Sequence, residues 1–137
     1  MAGMQGALIG GVMPFTLGWG VVVSDIVAAG SALASITFNT DGSNTLVGNS
    51  STGSTKVARQ APYASMASFY IQLTGTGAAP ASGSTGVWQQ MNVARLWSWT
   101  QGPGAGVKTF DGTFSIASDA GGVNVLWTGS ISVDVER

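Results

Sequence analysis

Between Val123 and Val135 the large apolar residues fall on odd positions: Val123, Val125, Trp127, Ile131, Val133 and Val135. A period of two over thirteen residues places them on one face of an extended strand, because successive side chains of a strand point to opposite faces. Such a strand is longer than average and must lay its apolar face on a core. Upstream, Val107 to Ala117 carries Phe110, Phe114 and Ile116. Ser118-Asp119-Ala120-Gly121-Gly122 between the two segments reads as a hairpin loop. Gly129 in mid-strand suggests a bulge or bend.

The remainder reads as short β segments between turn residues. Trp19 to Val27 is a hydrophobic strand candidate. Leu33 to Thr40 follows, with Ile36 and Phe38 on one face and Ser35 and Thr37 on the other. Asp41-Gly42 supplies a turn that accepts positive φ. Thr45 to Arg59 is polar, and Asn49 to Thr55 is a loop by composition. In Ser65 to Thr74, Phe69, Ile71 and Leu73 alternate with Ser68, Tyr70 and Gln72. Gly75 to Gly86 is a Gly/Ala/Pro/Ser/Thr loop, Val87 to Met91 and Arg95 to Thr100 are strands, and Gln101 to Gly104 is a turn. No segment shows sustained helical periodicity with caps, and four glycines argue against a helix over residues 2–13. Seven to nine short strands at this spacing predict an all-β fold, an antiparallel sandwich.

Charge narrows the function. Of 137 residues, five are Lys or Arg and six are Asp or Glu, for a net charge of -1. No basic field exists to neutralise phosphates, so nucleic acid is not an expected partner. A weakly charged, near-neutral surface is poor for colloidal solubility, so much of it is expected to meet other protein. With 45% hydrophobic residues the chain has enough apolar material to fold, unlike a disordered one.

Residues 1–24 carry no charged side chain. Gly3, Gly6, Gly10, Gly11, Gly18, Gly20, Pro14 and Gln5 fit a membrane-spanning helix poorly, and no Lys or Arg precedes Lys56 as a secretory signal requires. We therefore expect no membrane span, and read residues 1–30 as an apolar assembly arm ahead of a sandwich domain over 31–137. Its expected interface residues are Met4, Leu8, Ile9, Met13, Phe15, Leu17 and Trp19.

Chemistry has few places to sit. Cysteine and histidine are both absent, which removes the thiolate nucleophile, the usual general base and the commonest metal ligand. The acids are Asp25, Asp41, Asp111, Asp119, Asp134 and Glu136, and three of them lie in Asp-Gly or Asp-Ala-Gly contexts that read as turns. Asn39 to Asn44 is oxygen-rich but lacks the bidentate acid of an EF-hand. No cofactor, metal site or catalytic set is expected.

The aromatic stripe admits two readings. Arg95, Trp97 and Trp99 share one face of a strand. Exposed, they form an aromatic binding face that stacks on a sugar ring or a partner's cation. Buried, a tryptophan fills the core between two sheets while Arg95 lies over a ring.

Gly86-Val87-Trp88, Met91, Arg95-Leu96-Trp97, Gly112 to Ala117, Ser130 to Glu136 and the strand Ala34 to Gly42 together resemble a recurring module of tailed-bacteriophage virion proteins. The resemblance runs from about residue 32 to the end. It implies an Ig-like β-sandwich with a structural or adhesive role and no enzymatic activity. The implied location is the virion: tail fibre, tail tip, or a capsid-decoration or head-associated position. The implied partners are other virion proteins and copies of the chain itself, with bacterial surface glycan as the adhesive alternative. A glycoside-hydrolase-type enzyme is the remaining rival, and would need two of the six acids facing one another across a cleft.

Overall fold

The computed structural model describes residues 25–30, 32–42, 44–48, 50–52, 66–102, 104 and 106–136. Among them are nine strands: β1 (Asp25–Ala28), β2 (Leu33–Phe38), β3 (Asn44–Val47), β4 (Ser50–Thr52), β5 (Tyr70–Gly77), β6 (Gln89–Gln90), β7 (Arg95–Thr100), β8 (Lys108–Ala117) and β9 (Val125–Val135). One 3-10 turn, Met66–Ser68, precedes β5, and no α-helix occurs among the described residues. The larger sheet has the order β4-β1-β9-β8-β5-β6, and the smaller one β3-β2-β7. The chain is all-β.

The period-two pattern becomes the core. Trp127, Ile131, Val133 and Val135 of β9 are buried, as are Phe110, Phe114 and Ile116 of β8 and Ile71 and Leu73 of β5. Ala34, Ile36 and Phe38 of β2 and Trp97 and Trp99 of β7 meet them from the smaller sheet. Aromatic rings bridge the layers: Phe38 and Trp97 each pack edge-on against Phe114, with centroids 4.8 and 4.9 Å apart. Trp99 tilts against Phe110 at 5.4 Å. Offset and edge geometries like these suit the ring quadrupole and add to the apolar burial. The alternation does not reach the core at its start: Val123 precedes β9, Val125 opens it, and both are exposed.

Several expectations change. Pairing is not wholly antiparallel: β1 runs parallel to β9, with Ile26 opposite Val133 and Ala28 opposite Val135. Ile26 and Ala28 are fully buried, so residues 25–28 belong to the large sheet rather than to an arm over 1–30. Ser50–Thr52, a loop by composition, is a strand because β1 offers it an antiparallel partner. Propensity yields here to a tertiary partner. The Gly75–Gly86 loop starts late, since β5 continues to Gly77 against β8. Gly75 faces the Phe110 ring, and a Cβ there would come within 2.5 Å of Phe110 Cζ. The expected strand Val87–Met91 shortens to Gln89–Gln90. Gly129 makes no bulge. It leaves room for the Trp127 indole, which a Cβ would meet at 2.6 Å, and the register shift falls between Ile116 and Ala117 instead.

Strand direction gathers loops at one end. Phe38 closes β2 opposite Arg95, the first residue of β7, and its ring lies 6.3 Å from that of Trp127. Trp127 pairs with Ile116, one residue before the end of β8. The turns after Phe38, before Arg95 and between β8 and β9 therefore share this end.

Candidate functional site

Trp97 and Trp99 are buried, with 0% and 2% of their surface exposed. They cannot stack on a sugar in this structure, so the exposed reading of the Arg95, Trp97 and Trp99 face does not hold. Their placement explains the loop that follows β5. Trp97 Nε1 donates to Ser84 O at 2.7 Å, and Trp99 Nε1 donates to Ala78 O at 3.0 Å. Buried indole N–H groups need acceptors, and the 78–86 loop supplies both. The loop also pairs with the β7 edge: Ser82 N and Ala81 N donate to Ser98 O, and Ser98 N donates to Ser82 O. Two tryptophans and one strand edge thus hold a loop of small residues across the side of the molecule.

Arg95 is likewise committed, and to carbonyls rather than a ring. Its Nε and Nη2 donate to Gln90 O at 2.9 and 2.7 Å, Nη1 to Gln89 Oε1 at 3.2 Å, and Nη2 also to Asn92 Oδ1 at 3.3 Å. The planar fork of guanidinium suits this multiple donation. Arg95 ties the 89–94 turn to the start of β7.

Of the two motif tryptophans, either of which the sequence allows as a core anchor, Trp97 fills that place, while Trp88 is half-buried and braces the β8–β9 hairpin loop. Gly122 has φ +70°, and a Cβ there would run into the Trp88 indole. Above it, Asp119 organises the loop. Its carboxylate accepts from Asn124 N at 2.8 Å and Val123 N at 2.9 Å. The Asn124 amide, then the Val123 amide, hold this carboxyl below the usual carboxylate range, because hydrogen bonds to the charged form favour it. Gly122 N donates to Asp119 O, Ser118 N to Asn124 O, and Asn124 Nδ2 to Ser118 Oγ. At the tip Val123 stands 89% exposed, and Val125, which opens β9, is half-exposed. Alternation alone would have placed Val123 in the core; the Asp-Ala-Gly-Gly run before it was the signal that the chain had not yet entered the strand.

Hydroxyls dominate one patch of the outer face of the large sheet. Cross-strand rows set Thr74 beside Thr113 and Ser130, and Thr76 beside Asp111 and Ser132. These residues line a shallow, open depression of about 390 Å³. Nearby, Thr109 Oγ1 donates to Asp134 Oδ1 at 2.7 Å.

Met4, Leu8, Ile9, Met13, Phe15, Leu17 and Trp19 lie outside the described residues. Among the described residues no three acids are grouped to hold a metal ion, and no helix is long and apolar enough to cross a membrane. No family model matches the chain, and neither a curated protein nor a solved structure matches it.

Proposed function

We propose that this chain is a non-enzymatic structural subunit of a tailed-phage virion, present in many copies and assembled through contacts with its own copies and neighbouring virion proteins. The observation that carries the reading is the use made of the motif residues. Trp88, Arg95 and Trp97, which carry the phage-module resemblance, all serve as struts: they brace a hairpin, knit a turn and pin a loop. A rigid, charge-poor scaffold of this kind suits repeated packing against protein.

The finer fold is proposed as Ig-like. Strand order supports it: β9-β8-β5-β6 follows the G-F-C-C′ order of an immunoglobulin-type sheet, and β2 beside β7 follows B beside E. Two departures are β3 beside β2 and β1 in the larger sheet. Within the virion we favour the tail (fibre, tip or tail-associated), with a head-associated or capsid-decorating position as the alternative.

The assembly arm is proposed on sequence grounds, from the uncharged apolar stretch before Asp25. Deleting residues 1–16 should leave a folded domain that no longer enters particles. Incorporation of the truncated chain at the normal level would sink the proposed arm.

A second reading, adhesion to bacterial surface glycan, rests on the hydroxyl-lined depression around Asp111. Titration of host surface polysaccharide against the chain and its Asp111→Ala variant tests it. Saturable binding lost in the variant would favour this reading.

A further inference from the structure

The two neighbours of β9 cover it unequally. β8 pairs with it from Val125 to Val135, whereas β1 reaches only Ser132 to Val135. Between Val125 and Ile131 no described residue pairs with the edge that faces β1. Alternate residues of an antiparallel strand exchange hydrogen bonds with their partner, so the residues between them point their N–H and C=O groups the other way. An edge of this kind accepts another strand. An open depression of about 330 Å³ marks the place, lined by Val125, Leu126, Trp127 and Thr128. Consecutive residues of a strand face opposite sides of the sheet, so a hollow lined by four in succession follows the strand's edge rather than one face.

The chain's own path leads there. β1 runs parallel to β9 with Asp25 opposite Ser132. Each extended step back from Asp25 moves one residue back along β9, which would set Val23 opposite Ser130, Val21 opposite Thr128 and Trp19 opposite Leu126. Trp19-Gly20-Val21-Val22-Val23-Ser24 is uncharged and carries three β-branched residues in a row, the composition of an inner parallel strand. Sizes match as well. The same register sets Gly20 beside Trp127 and Val22 beside Gly129, so a large side chain meets a glycine in both pairs. A segment already joined to β1 needs no loop to reach this edge, and it avoids the entropy cost of bringing in a second molecule.

We propose that residues 19–24 lie parallel to β9 along Leu126–Ile131, extending β1 and filling the depression. A chain so placed passes out beside Val125. The assembly arm, on whose reading above this last step rests, is thereby reduced to residues 1–18 and leaves the molecule at the end where β8 turns into β9.

The chain has no cysteine, so paired thiols report the contact directly. Val21→Cys and Thr128→Cys are combined in one full-length chain and mildly oxidised, beside a control chain carrying Val21→Cys and Thr76→Cys. Thr128 and Thr76 are both exposed. The intrachain disulfide should form at least about tenfold faster in the 21–128 chain, because the register raises the local thiol concentration. Equal rates overturn the strand. A disulfide-linked dimer in place of the intrachain bond puts another copy on the edge and overturns it too. Hydrogen exchange supplies a second measurement. A chain lacking residues 1–16 should keep full-length protection of the 126–131 amides, and a chain lacking residues 1–24 should exchange there at least about tenfold faster. Equal protection in the two truncations overturns the strand. If the shorter chain does not fold, the disulfide rates in the full-length chain decide. Strand and arm fail separately: a crosslinked 21–128 chain whose 1–16 truncation still enters particles overturns the arm and leaves the strand standing.

Discussion

Trp97 combines two functions that ordinary core residues keep separate. Its ring fills the space against Phe114 between the sheets, and its N–H holds the 78–86 loop. The two can be split by mutation. Trp97→Ala should cost about 3–5 kcal/mol in chemical unfolding, as large-to-small core changes do. Trp97→Phe keeps a ring but leaves Ser84 O without its donor. It should cost less, with about 1 kcal/mol assignable to the lost hydrogen bond, and hydrogen exchange should rise within 78–86. If Trp97→Ala costs under about 1 kcal/mol, the scale of harmless substitutions, the core assignment is wrong. Asp119 gives a prediction in pH. Its folded pKa lies below the unfolded value, so its contribution is present above the ordinary carboxylate range and is lost as pH falls through the folded pKa. The amide signals of Val123 and Asn124 should shift together with an acidic midpoint below the usual aspartate value. Asp119→Asn should abolish that titration. A midpoint at or above the ordinary value would contradict the hydrogen-bonded loop.

At the scale of elements, the 78–86 loop behaves as part of the packed two-sheet core rather than as a connector. Gly83 shows how closely it is packed: with φ +97°, an added Cβ would stand 2.5 Å from Trp97 Cδ1 and 2.6 Å from Leu96 O. Gly83→Ala should therefore destabilise by at least about 1–3 kcal/mol, a typical penalty for a strained backbone position. Gly86→Ala is the comparison, because its φ is also positive but its Cβ would meet open space. Equal losses at the two sites would show that packing against Trp97 contributes nothing. This loop also shows what sequence conveys and what it withholds. β7 was legible to the residue, and β8 and β9 nearly so, because apolar alternation over six or more residues has one physical reading. β4 and the tail of β5 were not, because Ser, Thr and Gly become strand only when a partner strand is present. The parallel match of β1 to β9 joins segments about a hundred residues apart, and no local pattern encodes it. Of the candidate site, the shared face of Arg95, Trp97 and Trp99 could be read from spacing, but whether that face meets solvent or core could not. The Trp88–Gly122 brace left no signal beyond a tryptophan and a glycine pair.

At the scale of the whole molecule, charge scarcity is the governing property. Five cations and six acids leave little repulsion between copies and few charges to guard sheet edges. Arg95 is occupied internally, which reduces the number still available. Natural β proteins with this surface persist when a partner covers it, so a homo-oligomer or symmetric array held by apolar and Ser/Thr contacts is expected. Raising ionic strength should leave its native mass spectrum or sedimentation profile unchanged, whereas a charge-driven interface would dissociate as screening grows. The central claim, that this is a multicopy structural component of a tailed-phage particle, is tested most directly by quantitative mass spectrometry of purified particles separated into heads and tails. The chain should be found in one of the two fractions, the tail, at many copies per particle. Its absence from both fractions would show that it is not a structural component of the particle.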